Sequence, residues 1–223
     1  MMSGAMDIRD AVVASLVEAA ESGVDVIALV SDSTSTSKIK PFAERFPDRL
    51  VNVGIAEQNL VGMAAGLSLD GRVSVTANAA PFLVGRANEQ VKVDVCYART
   101  NVKMLGINAG VAYGPLAATH HSIDDISIMR GFGNVLIFSP ADGIEAAAIM
   151  RWALRYDGPV YIRVDSAALP LLHGENYVFN PGKLDALAEG KDLAVFATGP
   201  LAHEAAAAAK LLAGAGIDRK STR

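Results

Sequence analysis

One nearly unbroken apolar run constrains the fold of this chain more than any other feature. Val24-Asp25-Val26-Ile27-Ala28-Leu29-Val30 is rich in β-branched residues and carries a single charge. A strand of this kind is covered on both faces, as in a parallel sheet between helical layers. An amphipathic helix is predicted over 7–21, immediately before the strand, with Gly23 as its stop signal.

The alternation of strand and helix continues along the chain. Further strands are predicted over 50–53, 72–76, 102–107, 134–138 and 159–164, and helices over 39–46, from Glu57 onward, and over 82–98, 123–129 and 143–156. Six strands that alternate with helices predict an α/β fold, a three-layer, parallel, doubly wound sheet.

The composition changes after residue 165. Turn-forming pairs without clear periodicity predict a linker over 166–190. A strand over 193–197 and a helix over 202–212 form one βα unit, which cannot bury its apolar face alone. We therefore predict a domain over 1–165 and, over 191–223, the start of a truncated second α/β domain.

Composition and charge narrow the classes of partner. Hydrophobic residues make up 51% of the chain, which predicts apolar surface covered by another protein chain. No signal peptide and no membrane-length apolar run is visible, so a cytoplasmic protein without a membrane partner is expected. A net charge of -4 argues against nucleic acid. Cys96, the single cysteine, is interpreted as a buried apolar residue rather than a nucleophile.

Two polar features lie where strands end. The hydroxyl-rich segment 31–37 is either a flexible loop and helix cap or a ligand loop, since ligands of open α/β sheets bind beyond the carboxyl ends of strands. Glu57 lies between an apolar strand and an apolar helix. It either complements the helix dipole, worth about 0.3 to 1 kcal/mol, or shares a proton inside a dry pocket.

His120-His121, followed by Asp124-Asp125, has three interpretations. A metal cluster is disfavoured because neighbouring side chains point apart. Acid/base or hydrogen-bonding groups are better placed there, because imidazole exchanges protons near pH 7. Two partly exposed loop histidines remain the third interpretation. The chain has no phosphate-binding glycine loop and no serine-hydrolase motif.

Five segments carry a resemblance to a known family. They are residues 46–59, 85–90, 119–125, 139–142 and 158–163. In order and spacing they resemble the pyrimidine-binding domain of transketolases, especially the C-terminal subunit of split transketolases, and the match covers about residues 10–215. The resemblance implies a thiamine-diphosphate-dependent enzyme that transfers a two-carbon ketol unit from a ketose or sugar derivative to an aldose.

The resemblance also assigns roles to residues. It implies that Glu57 hydrogen-bonds N1′ of the cofactor's aminopyrimidine and that His120 transfers protons near the donor hydroxyls. Asp32 matches an aspartate near the cofactor, and Phe82 an aromatic residue around the pyrimidine ring. Thr36 matches a hydroxyl residue that helps to hold a substrate phosphate.

Several positions depart from the family pattern. Ala79 replaces the main stacking phenylalanine, and Leu116-Ala117 replace an Asp-Gly pair. Asn108 stands where a phosphate-contacting histidine is expected, and Ser166 where an arginine would bind the same phosphate. Because an Arg–phosphate pair is a bidentate, charge-assisted contact, these departures leave open whether ordinary pentose and hexose phosphates are the substrates.

The family's metal site has no counterpart in the sequence. No Gly-Asp-Gly motif followed by Asn is present, so no metal ligand is assigned, and Mg²⁺ is expected on a diphosphate-binding partner subunit in an α2β2 assembly. Alternatives are a 2-oxoacid dehydrogenase E1 β subunit, a deoxyxylulose-phosphate synthase fragment, or a non-catalytic regulatory subunit of the same fold.

Overall fold

The computed structural model describes residues 4–217 and 219–222. The strands are β1 (Ala5–Asp7), β2 (Val26–Val30), β3 (Leu50–Asn52), β4 (Val73–Ala79), β5 (Val102–Ile107), β6 (Leu136–Phe138), β7 (Val160–Val164), β8 (Ala168–Pro170), β9 (Ala186–Ala188), β10 (Leu193–Phe196) and β11 (Arg219–Thr222). The helices are α1 (Ile8–Glu21), α2 (Lys40–Arg45), α3 (Glu57–Leu69), α4 (Asn88–Gln90), α5 (Asp125–Gly131), α6 (Gly143–Ala153) and α7 (Leu201–Gly214). Two π-helical segments, Phe82–Arg86 and Val91–Tyr97, flank α4.

A six-stranded parallel sheet forms the centre of the molecule, with the strand order β3-β2-β4-β5-β7-β6. Each of the six predicted strands is one of its members, so the predicted parallel, doubly wound sheet is confirmed. Helices cover both faces of this sheet, because two parallel strands are joined by a crossover connection, usually a helix, that packs on one face.

Strand β2 shows why the sheet needs two covering layers. All five of its residues are buried. Val26, Ala28 and Val30 pack in the apolar cluster that includes α1 and α6, whereas Ile27 and Leu29 pack in the opposite cluster with α3. Successive side chains of a strand point to opposite faces, so the continuous apolar run of the sequence corresponds to burial on both sides.

Cys96 lies in the second of these clusters and is 1% exposed. Burial raises the pKa of its thiol to about 11, so the thiolate is disfavoured at neutral pH. The interpretation of this cysteine as an apolar core residue is confirmed.

Segment 166–190, predicted as a linker, is attached to the sheet domain at two places. Strand β8 pairs antiparallel with β1. The buried carboxylate of Asp142, which caps α6, accepts hydrogen bonds from the backbone N–H groups of Leu172 (2.7 Å) and His173 (2.8 Å) and lies 3.0 Å from His173 Nδ1. These contacts anchor the segment, while the domain boundary itself stays a prediction.

The C-terminal unit consists of α7 and the three-stranded sheet β10-β11-β9. The predicted strand and helix of this unit are both present, as β10 and α7. Leu201 and Leu211 of α7 are 67% and 77% exposed, so this helix leaves apolar surface uncovered.

No helix among the described residues is long and apolar enough to cross a membrane.

Candidate active site

A cavity of about 450 Å³ opens at the carboxyl edge of the central sheet, where the loops after β2 and β4 meet the start of α3. Its lining residues are Ser31, Asp32, Ser33, Thr36, Ile55, Glu57, Asn78, Ala79, Phe82, Arg86, Tyr113, Leu116 and His120. This edge is where ligands bind in open α/β sheets. The cavity contains most of the polar side chains that the sequence singled out.

Glu57 is the first residue of α3 and is only 2% exposed. Ser31 shapes the turn before it, because its Oγ donates to Gly54 O (2.7 Å) and accepts from Ala56 N (3.1 Å). The burial required by the dry-pocket interpretation is therefore present. The position at the helix N-terminus is also present, so the geometry fits both interpretations of this carboxylate.

The Glu57 carboxylate contacts two side chains across the cavity. Arg86 Nη1 donates to Oε2 at 2.8 Å, and Asn78 Nδ2 donates to Oε1 at 3.4 Å. Arg86 ends a π-helical segment that begins at Phe82, and its guanidinium lies 4.5 Å from the centre of the Phe82 ring. Such π-helical turns are frequent at functional sites. Sequence analysis assigned no role to Arg86, although it lies inside one of the five motifs.

His120 enters the same cavity from the loop between β5 and α5. Its ring meets Phe82 and Tyr113 edge to face, with ring centres 5.1 Å and 5.2 Å away, and Nδ1 lies 2.9 Å from Thr119 Oγ1. His121 turns elsewhere, with Nε2 3.0 Å from Gly114 O. The two adjacent histidines thus point apart, as expected.

The loop between β5 and α5, which carries His120 and His121, is called the histidine loop below. Its interpretation as a metal cluster is wrong for the described part of the chain. Asp125 is 1% exposed and accepts hydrogen bonds from Tyr161 Oη (2.8 Å) and Arg163 Nε (2.9 Å) instead of facing the histidines. Over residues 4–217 and 219–222, no group of three or more His, Cys, Asp or Glu side chains could hold a metal ion.

Two of the three positions linked to a substrate phosphate, Thr36 and Ser166, contact Arg9, a residue that no sequence motif singled out. Arg9 donates to the backbone oxygens of Thr36 (3.3 Å) and Ser166 (3.2 Å) and pairs with Asp7 at 2.8 Å. The ion pair with Asp7 raises the pKa of Arg9. Position 166 itself is a serine, but the guanidinium of Arg9 lies beside it.

Asn108 is the third of these positions, and it hydrogen-bonds Tyr113, which lines the cavity. Asn108 is 8% exposed, its backbone has a φ of 55°, and its Oδ1 is buried with no hydrogen-bond partner in the described part of the chain. Burial raises the pKa of Tyr113, while a hydrogen bond from Asn108 and the charge of Arg9 oppose that shift. Asn108 and Ser166 themselves do not line the cavity, whereas Asp32, Thr36, Glu57, Phe82 and His120 do.

Fold and site together define an α/β subunit with a buried carboxylate and an aromatic wall at the carboxyl edge of a parallel sheet. The family model "Transketolase, pyrimidine binding domain" matches residues 4–170, and the chain belongs to this family.

The relatives are more specific. The chain is 56% identical over 217 residues to one of the subunits of the apulose-4-phosphate transketolase of Actinobacillus succinogenes, a match that covers 97% of this chain and 70% of the relative. It is 38% identical over 210 residues to the 6-deoxy-6-sulfo-D-fructose transketolase subunit SqwH of a Clostridium species, covering 94% of this chain and 65% of that protein. A solved split-gene transketolase, an inactive β4 tetramer, superposes with a TM-score of 0.90 at 36% identity, over 98% of this chain and 71% of that one. The chain thus spans roughly two thirds of the length of these relatives.

Proposed function

We propose that this chain is the pyrimidine-side subunit of a split transketolase that moves a two-carbon ketol unit from a ketose or sugar derivative to an aldose. The observation that carries this proposal is the Glu57 carboxylate, 2% exposed, in the wall of a cavity of about 450 Å³. A buried carboxylate in the wall of a cavity at the carboxyl edge of a parallel sheet is a candidate for a catalytic position.

The cavity residues fit the aminopyrimidine of thiamine diphosphate, which would supply the electron sink that ketol transfer needs. Glu57 offers a carboxylate to a ring nitrogen, and Phe82 offers an aromatic face. Ala79, 6% exposed, leaves open the space that a second aromatic side chain would fill. Aromatic stacking is worth about 0.5 to 1.5 kcal/mol beyond burial, so binding survives the loss of one ring.

Each polar residue of the cavity has a role in this proposal. Glu57 would share a proton with the ring nitrogen N1′ of the bound cofactor. His120 moves a proton at the donor hydroxyls, where an imidazole can act as a general acid or base. Asp32, which lines the same cavity, lies near the cofactor.

The other half of the site belongs to a partner subunit, which holds Mg²⁺ and the diphosphate in an α2β2 assembly. Exposed apolar side chains support a covering chain here. On the loop before α3, Ile55 is 75% exposed, and on the loop between β5 and α5, Val111, Leu116 and Ile123 are 63%, 50% and 78% exposed. Apolar surface of this kind is characteristic of a protein interface.

The proposed donor carries an anionic group at the end remote from the ketol unit. Support comes from the Arg9 guanidinium beside Thr36 and Ser166. The names of the two relatives specify a phosphate in one case and a sulfonate in the other. Both groups present oxygens that a guanidinium can bind. In this proposal Arg9, which lies outside the cavity lining and is paired with Asp7, takes the place of the arginine absent at position 166.

The test is to purify the full-length chain alone and with its diphosphate-domain partner, and to measure thiamine diphosphate binding with Mg²⁺ and ketol transfer. The pair is expected to bind the cofactor and to transfer the ketol unit. Tight, Mg²⁺-dependent binding of thiamine diphosphate by the lone chain would contradict a cofactor site that is shared between two subunits. Binding by the pair without ketol transfer favours another thiamine-dependent subunit.

A further inference from the structure

We propose that Arg86 is a latch on the cofactor site. In this structure it occupies Oε2 of the Glu57 carboxylate, and it has to leave before a ring nitrogen can bind that oxygen. This inference rests on the proposed function, in which Glu57 receives that nitrogen.

The first support is the position of the guanidinium on the carboxylate. Arg86 Nη1 lies 2.8 Å from Glu57 Oε2, whereas the amide of Asn78 approaches the other oxygen only to 3.4 Å. The Glu57 side chain is 3% exposed. A carboxylate this buried is strongly unfavourable without a charged partner, so Arg86 stabilises the subunit as long as the cavity holds no cofactor.

The second support is that Arg86 can move away. The Arg86 side chain is 44% exposed, whereas the Glu57 side chain that it contacts is 3% exposed. In its contact with Glu57 the guanidinium also lies 4.5 Å from the centre of the Phe82 ring, so its departure breaks one cation–π contact besides the ion pair. The preceding Gly85 is exposed, and a Cβ added there would face open space among the described residues. The exchange of Arg86 between Glu57 and solvent therefore requires no repacking of the core.

The latch has two consequences of opposite sign. Loss of the cation destabilises the cofactor-free chain, because Glu57 is then buried without a charged partner. The same loss tightens cofactor binding, because a state that blocks the site raises the apparent dissociation constant in proportion to its population. An arginine that contacted the cofactor directly would produce the reverse effect on binding.

The test combines two measurements on Arg86→Gln and Arg86→Lys. Urea midpoints of the free chain are compared for the wild type, R86Q, E57Q and the double variant, which isolates the coupling between the two side chains. The dissociation constant of thiamine diphosphate with Mg²⁺ is measured by calorimetry on the chain assembled with its partner subunit. Arg49→Gln is the matched control, because Arg49 also lies over a phenylalanine ring, at 5.5 Å from the centre of Phe46, but outside the cavity.

The expected result is a lower urea midpoint for R86Q, restored when Glu57→Gln is added, and cofactor binding that is roughly three- to tenfold tighter. R86K keeps the cation and is expected to keep most of the midpoint, and R49Q is expected to leave the dissociation constant unchanged. Weaker or unchanged cofactor binding by R86Q, or no coupling in the free chain, overturns the latch alone. A wild-type pair that binds no thiamine diphosphate overturns the proposed function and the latch with it.

Discussion

Arg163 on β7 donates from Nε to the buried carboxylate of Asp125 at 2.9 Å, and this contact ties the histidine loop to the central sheet. Asp125 begins α5, directly after the loop that carries His120. Tyr161 Oη donates to the same oxygen at 2.8 Å, while Asp125 Oδ1 has no hydrogen-bond partner among the described residues. A loop that supplies a cavity residue is thus attached through one buried charge.

The first prediction concerns this attachment. Arg163→Met leaves Asp125 buried without a cation, and we expect the free energy of unfolding to fall by about 3 kcal/mol or more. Urea unfolding measures the change. Adding Asp125→Asn is expected to recover part of the loss, because it removes the unpaired charge. A decrease below about 1 kcal/mol in the single variant contradicts this account.

The second prediction concerns catalysis. Glu57→Gln keeps the size of the side chain but removes its ability to share a proton. In the assembled enzyme kcat is expected to fall by about 100-fold or more. Steady-state ketol transfer measures it, with Glu89→Gln as the control, because Glu89 is exposed and outside the cavity. Full activity of Glu57→Gln would exclude the proposed role.

The third prediction concerns the anionic end of the donor. Arg9→Gln removes a charge-assisted contact worth about 1.5 to 3 kcal/mol. We expect KM for a phosphorylated ketose to rise by about 10- to 100-fold, with a smaller effect on kcat. The control is a ketose of the same chain length without the phosphate, for which KM should change little. Equal losses for both donors would mean that Arg9 only holds together the loop of Thr36 and the segment of Ser166.

The fourth prediction is a pH dependence of stability. Lys103 is fully buried, and its Nζ donates to Asn101 Oδ1 (2.6 Å), Tyr156 O (2.7 Å) and Gly158 O (2.6 Å). Burial lowers the pKa of Lys103 from 10.5 to about 7, partly opposed by the charge of Asp157. Between these two pKa values the unfolded chain binds more protons than the folded one. The contribution of Lys103 to stability therefore rises with pH across this window and is constant below it.

Urea unfolding of the wild type and of Lys103→Met at about pH 7 and about pH 9 tests this, since the slope for one proton reaches at most about 1.4 kcal/mol per pH unit. The wild type is expected to gain stability relative to the variant as the pH rises. A constant difference would show that the three oxygen acceptors keep the ammonium group charged throughout the range.

The sequence alone was sufficient for the sheet and for part of the cavity. Continuous apolar strands and amphipathic helices are local patterns, so the six strands of the parallel sheet were all predicted from them. The placement of polar residues directly after strands brought Asp32 and Glu57 to the carboxyl edge, where both line the cavity. Such positions follow from chain direction and from the period of two along a strand.

Only the tertiary structure determined which charges meet. Arg86 contacts Glu57 across 29 residues of sequence, and Arg9 reaches Ser166 across 157. Long, flexible side chains have no periodic signature, because the backbone pattern does not determine where their charged ends lie. The same holds for Asp125, for which the sequence left a metal cluster with His120 and His121 as a disfavoured alternative, and which in the fold is buried against Arg163. Local patterns thus determined the layers of this protein, and the packing of those layers decided the electrostatic partners within its site.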